Sequence, residues 1–183
     1  MYDLDTFLTH TINSLAGVYA PVDFVTLSVS AIGVPLLVLA VAGQWWRRGD
    51  RDNTRHVLVA TGLSFLLGLA VNQLILLLVP RIRPYDAGVS HLLIAPSADP
   101  SFPSDHATAT FAIAAAFLIH RMRRLGVWFL AAAFLVSFSR IYIGTHYVSD
   151  VLGGAATGFM AAIVIRFLFR EGTRLDRLIT GIL

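Results

Sequence analysis

An all-α bundle of membrane-spanning helices is the fold class this sequence predicts, and three observations predict it. The chain is too apolar for a soluble globule, with 56% hydrophobic residues and a mean hydropathy of +0.72. Five apolar runs, 21–46, 56–79, 104–120, 125–143 and 151–169, are long enough to cross a bilayer. The basic residues divide unevenly between the two sides that those runs would define.

The elements follow in order. Residues 1–20 place Leu4, Phe7, Leu8, Ile12 and Leu15 at helical spacing with polar residues between them, which suits a helix lying in the interface. A sixth crossing is the alternative, disfavoured by those polar residues and the short length. Asp3 and Asp5, with no basic residue in the first fifteen, argue against a cleaved signal peptide. The second run leads into a long segment, 80–103, that holds five of the seven prolines and is therefore expected to be ordered. The third run opens with Pro103-Ser104-Asp105-His106. Proline suits a first helical turn, so the amides around Ser104 and Asp105 would face an anion. In the fifth run Gly154 and Gly158 stand four apart among alanines, a spacing that lets helix backbones approach. Residues 171–183 repeat an amphipathic pattern, with Leu175, Leu178, Ile179 and Ile182 among Arg174, Asp176 and Arg177. No long repeat, low-complexity tract or linker interrupts residues 1–183, so one domain is expected. The absence of cysteine excludes disulfides and thiolate metal sites.

Orientation comes from the arginines, which supply all fourteen basic residues because there is no lysine. Eleven fall on one side: Arg47, Arg48, Arg51 and Arg55; Arg121, Arg123 and Arg124; Arg166, Arg170, Arg174 and Arg177. Only Arg81, Arg83 and Arg140 fall on the other. The positive-inside rule makes the first side cytoplasmic and turns the three exceptions outward.

Those three need a local explanation, and the chemistry at the same span ends supplies one. His146 and Asp150 are four apart, so on a helix they share a face and the carboxylate can reach a ring nitrogen. A histidine held in this way is a nucleophile or general base. Arg140 offers a planar fork of donors that suits phosphate oxygens. Arg81, Arg83, Ser104 and His106 fall on the same face. Taken singly, each has a plainer explanation. A lone outward arginine snorkels to lipid phosphate, His-x3-Asp equally suits a structural bond or two metal ligands, and His10, His56, His91 and His120 are ordinary interfacial histidines. A metal site on His106, His146 and Asp150 is disfavoured because three arginines would repel a divalent cation. Three unlinked segments that bring complementary groups to one face carry the functional reading.

Over about 72–154 the sequence resembles the type 2 phosphatidic-acid-phosphatase (PAP2) superfamily, whose pattern is Lys-x6-Arg-Pro, Pro-Ser-Gly-His and Ser-Arg-x5-His-x3-Asp. Here the parts read Leu76-x6-Arg83-Pro84, Pro103-Ser104-Asp105-His106 and Ser139-Arg140-x5-His146-x3-Asp150. The resemblance implies a helical core shared with vanadium haloperoxidases and a two-step phosphoryl transfer. In it His146 attacks phosphorus, Asp150 orients it, and His106 protonates the leaving oxygen. Arg83, Arg140, Ser104 and the amides of its turn would hold the phosphate, without metal or cofactor. Leu76 stands at the lysine position, and Arg81 is the nearest candidate to replace that charge. Asp105 in place of glycine looks like the bacitracin-resistance type of undecaprenyl-diphosphatase, which implies a bacterial inner-membrane enzyme whose site faces outward. The expected partners are the bilayer and a polyprenyl diphosphate lipid, with no nucleic acid and the oligomeric state open. Phosphatidylglycerophosphate, phosphatidate or a lipid A phosphate is the alternative substrate. A lipid-phosphate transporter or flippase is the alternative from another class, though it would have no use for an acid and nucleophile pair.

Overall fold

The computed structural model describes residues 2–47 and 50–181; Arg48 and Ile182, both used above, lie outside the described residues. It contains α1 (Tyr2–Asn13), α2 (Ala20–Gly43) extended by a 3₁₀ turn (Gln44–Trp46), α3 (Arg51–Leu78), α4 (Asp105–Ile119), α5 (Arg123–Tyr142), α6 (Val148–Leu168) and α7 (Arg174–Thr180). Local chemistry sets several of the starts. Pro21 lies in the first turn of α2, where a missing N–H costs nothing. Asp50 caps α3 by accepting from the Asn53 amide at 3.3 Å, and Thr173 caps α7 by accepting from the Asp176 amide at 3.2 Å. At α6 the third residue, Asp150, reaches back to accept from the Tyr147 amide at 2.8 Å, so one carboxylate both starts the helix and stands at its mouth.

Four of the five apolar runs become helices long and apolar enough to cross a membrane: α2 with its 3₁₀ extension, α3, α5 and α6. The third differs. α4 has 15 residues, about 22 Å at 1.5 Å per residue, shorter than the ~30 Å hydrocarbon core. Its position explains this, because α4 is the hub of the bundle, packed against α3, α5 and α6. From Ala107 to Phe117 all but Phe111 are buried, so protein rather than lipid surrounds it.

Small residues bring α6 onto that hub. A Cβ added at Gly154 would run into the Ser104 carbonyl, and one at Gly158 into the Thr108 carbonyl and the Ala112 amide. Across this contact Thr108 Oγ1 donates to the Gly154 carbonyl at 3.0 Å, and the Ser104 amide donates to the Asp150 carbonyl at 3.0 Å. The starts of α4 and α6 are thereby locked side by side.

The bundle has two chemically distinct ends. At one, Arg47 shares a cleft with Arg121, Arg123 and Arg124, and α7 docks on the start of α3. There His56, fully buried, bonds Asp176 Oδ1 through Nδ1 at 2.9 Å, and Arg55 donates to the Thr180 carbonyl at 2.9 Å. His56 is therefore not the ordinary interfacial histidine expected from sequence but the anchor of the C-terminal helix. At the other end lie α1, the 79–104 segment and the 143–147 turn, with Arg81, Arg83 and Arg140.

Alanine for glycine within a helix usually stabilises by about 0.5–1 kcal/mol. For Gly158→Ala the sign should reverse, with a loss of ~1–3 kcal/mol, because the new methyl meets backbone that cannot rotate away. Thermal unfolding in detergent measures this, and a raised midpoint would contradict the packing described.

Candidate active site

At the end that carries three arginines, a cavity of about 250 Å³ opens between α3, α4, α5 and the loops beside them. Arg83, Arg140, His106, His146 and Asp105 line it, together with Gln73, Leu76 and Asp99. The structure thus brings together in one pocket five of the eight residues singled out from sequence.

His146 sits in the turn between α5 and α6 and is 4% exposed. Its Nδ1 donates to the Ser101 carbonyl at 2.8 Å. A carbonyl can only accept, so the proton is on Nδ1 and Nε2 carries the free lone pair. Here the sequence expectation needs correction. Asp150 Oδ2 lies 3.6 Å from Nδ1, beyond hydrogen-bond range. The carboxylate instead accepts from Ser101 Oγ at 2.5 Å, the Tyr147 amide at 2.8 Å and Arg81 Nη1 at 2.6 Å. Asp150 is therefore linked to the imidazole only indirectly, through Ser101, and by its charge. Burial pushes the His146 pKa below its ordinary value; Arg140 and Arg83 push the same way, and Asp150 opposes them.

Among the described residues, the two cavity arginines are bonded only to neutral acceptors. Arg83 donates to the Asp99 and Thr145 carbonyls at 2.8 and 3.0 Å, which leaves Nη2 for a ligand. Arg140, in the last turn of α5, donates to Ser30 Oγ at 2.5 Å, and its buried Nε has no partner among the described residues. Ser30 on α2 also stands close to His106, at the second position of α4. Asp105 accepts from Asn72 Nδ2 at 2.8 Å.

Two further expectations change. Arg81 does not line the cavity. Its guanidinium stacks over Tyr147 and bonds Ser149, Asp150 and Asp5, so it is paired with two carboxylates rather than free for phosphate. Leu76 does line the cavity, leaving an apolar side chain where the motif has lysine. Ser104 is fully buried, its amide is taken by Asp150, and its hydroxyl has no partner among the described residues; it forms the joint between α4 and α6 rather than the cavity wall. Among the described residues no group of three His, Cys, Asp or Glu side chains is placed to hold a metal ion. Sequence reasoning missed Ser30, Ser101, Asn72 and Asp5. Asn72 had a usable signal, a polar residue inside an apolar run, whereas a carbonyl such as that of Ser101 leaves none.

A family model for the PAP2 superfamily matches residues 57–173. Undecaprenyl-diphosphatase BcrC of Bacillus subtilis is 41% identical over 138 residues, covering 75% of this chain and 66% of that protein. Phosphatidylglycerophosphatase B of Bacillus subtilis is 31% identical over 150 residues, 76% of this chain and 69% of its own length. The chain thus spans about two thirds of each relative. A crystal structure of a transmembrane PAP2-type phosphatidylglycerolphosphate phosphatase from Bacillus subtilis has the same fold, with a TM-score of 0.69 at 22% identity, covering 94% of this chain and 88% of that one.

With its pKa lowered, His146 should stay neutral, and its Nε2 reactive, below pH 6.5. Acylation by diethyl pyrocarbonate, followed at His146 by mass spectrometry across pH, should show a midpoint below that value; a midpoint at or above it would contradict the burial described.

Proposed function

This chain belongs to the PAP2 superfamily, and on that footing we propose that it hydrolyses undecaprenyl diphosphate to undecaprenyl phosphate. The observation that carries the chemistry is the meeting of His146 Nε2, His106, Arg83 and Arg140 in one small cavity. The substrate reading is supported by the likeness to BcrC and by Asp105 in place of the motif glycine.

In the first step His146 Nε2 attacks the terminal phosphorus, the bond to the bridging oxygen breaks, and His106 delivers a proton to the leaving undecaprenyl phosphate. Binding an anionic diphosphate against His106 favours the protonated ring that this step requires. In the second step water attacks the phosphohistidine, its proton returns to His106, and inorganic phosphate leaves. Arg83 Nη2, Arg140 and the free amides at the start of α4 hold the equatorial oxygens, where charge is spread in the transition state. The chemistry on this reading uses no metal.

The membrane accounts for where the site lies. An apolar groove of about 460 Å³ runs between α2 and α5 past Ser28 and Val29, next to the Ser30 that binds Arg140. It offers an apolar tail a place in lipid while the diphosphate enters the cavity. The arginine-rich end faces the cytoplasm by the positive-inside rule, which turns the cavity outward in a bacterial inner membrane.

Purified protein should release phosphate from long-chain prenyl diphosphates with a higher kcat/KM than from phosphatidate or phosphatidylglycerophosphate. Activity should persist in excess EDTA, and His146→Ala should abolish both turnover and the acid-labile phosphoenzyme trapped from labelled substrate. Preference for phosphatidylglycerophosphate would transfer the assignment to the activity of the second relative. Loss of activity in EDTA that metal restores would overturn the mechanism.

A further inference from the structure

The N-terminal helix turns its polar side toward this site. Asp5, Thr9 and Asn13 recur every four residues on α1 and are 9%, 0% and 3% exposed. Each hydrogen-bonds the segment that carries His146. Asp5 Oδ1 accepts from the Ser149 amide at 2.9 Å, Thr9 Oγ1 from the Val148 amide at 3.2 Å, and Asn13 Nδ2 donates to the Tyr142 carbonyl at 2.7 Å. Asp5 Oδ2 also accepts from Ser149 Oγ at 2.5 Å and from Arg81 Nη2 at 2.6 Å, while Arg81 Nη1 bonds Asp150 Oδ1. One guanidinium is thus held between two carboxylates. Burial alone would raise the Asp5 pKa, but bonds from Ser149 and Arg81 outweigh it and hold Asp5 below the ordinary carboxylate value, so it is charged at neutral pH.

Charge balance gives this arrangement a purpose. Asp150 alone with Arg81 would be a neutral pair, and its pull on His146 would be largely cancelled. With Asp5 added, the trio carries one net negative charge, and its nearest oxygen, Asp150 Oδ2, lies 3.6 Å from His146 Nδ1. The other charged or titratable groups facing His146 are Arg140 from α5, Arg83 and Asp99 from the 79–104 segment, and His106 and Asp105 from α4. α2 and α3 present neutral Ser30, Gln73 and Leu76. In attacking phosphorus the ring becomes cationic among two arginines, so a net anion on its far side stabilises the intermediate.

We propose that Asp5 is a positioning residue for the nucleophile: by occupying the far side of Arg81 it keeps the Asp150 carboxylate effective toward His146, while Thr9 and Asn13 hold the turn on which His146 stands. The catalytic part of this inference rests on the phosphohistidine reading; the electrostatic coupling does not.

The test compares Asp5→Asn, Arg81→Gln, the double variant and Thr9→Val in the full-length protein, each checked for thermal midpoint in detergent. The first readout is the pH midpoint of His146 acylation by diethyl pyrocarbonate, which needs no substrate. Asp5→Asn should lower it by about 0.5–1 unit, Arg81→Gln should raise it, and the double variant, with the parent's net charge, should return it close to the parent value. The second readout is kcat/KM on a prenyl diphosphate across pH. Asp5→Asn should lower it about tenfold and move its acid limb in the same direction. Thr9→Val should lower kcat without moving the limb. A purely structural strap would leave the double variant worse than either single change and the midpoints unmoved, and that result overturns the proposal. If the parent releases no phosphate from any lipid phosphate, the phosphatase reading fails, and the acylation midpoints still decide the coupling.

Discussion

The close approach of α4 and α6 is the constraint on which the site depends. Within a bilayer, apolar side chains gain little by leaving lipid for protein, so helices associate through close backbone packing and hydrogen bonds. Gly154 and Gly158 permit that approach, and the bonds from Thr108 Oγ1 to the Gly154 carbonyl and from the Ser104 amide to the Asp150 carbonyl fix its register. His106 leaves the start of one helix and His146 stands two residues before the first residue of the other. Their separation across the cavity is thus set by the most extensively packed helix pair in the bundle rather than by flexible loops, as the proposed attack by one and proton transfer by the other at a single phosphate would require.

The way each arginine is bonded separates two roles that residue type alone does not. A guanidinium paired with carboxylates has its charge cancelled locally, whereas one bonded to carbonyls or hydroxyls keeps it. Arg83 and Arg140 are of the second kind, held by Asp99, Thr145 and Ser30 through neutral oxygens, and both line the cavity. Arg81 is of the first kind and lies outside it. Burying two unneutralised arginines together is costly, and an anionic ligand offsets that cost. Arg140 Nε, without a partner among the described residues, fits the anionic ligand proposed above.

Much of this was legible in the sequence, for identifiable reasons. Long apolar runs and the arginine division survive any detail of packing, so the bundle and its two unlike ends followed directly. The His106, Arg83, Arg140 and His146 grouping was legible because charged and titratable side chains at span ends are marked by residue type alone. What escaped was contact made by backbone or at one remove. The imidazole is oriented by the Ser101 carbonyl, and no residue type marks a carbonyl. The His146 to Asp150 spacing suggested a direct bond, but the capping geometry of α6 turns the carboxylate toward the Tyr147 amide and Ser101 Oγ instead. The shortness and burial of α4 also escaped, because seventeen apolar-run residues look alike whether lipid or protein surrounds them.

The terminal helices show a further effect of the membrane. Both were legible as amphipathic, and in a soluble protein their leucines would face the core. Here Leu4 and Phe7 of α1 and Leu178 of α7 are more than 60% exposed, while Asp5, Thr9, Asn13, Asp176 and Thr180 are buried. Lipid accepts a leucine as readily as protein does, so apolar contact gives such a helix no preference for the bundle. Polar groups do have a preference, because their partners exist only in the protein. Asp176 finds His56, Asp5 finds Arg81 and Ser149, and each helix is docked by its hydrogen bonds with its apolar side left to the membrane. An amphipathic end helix on a membrane bundle is therefore better read from its polar stripe than from its apolar one. On α1 that stripe runs directly to the residues around His146.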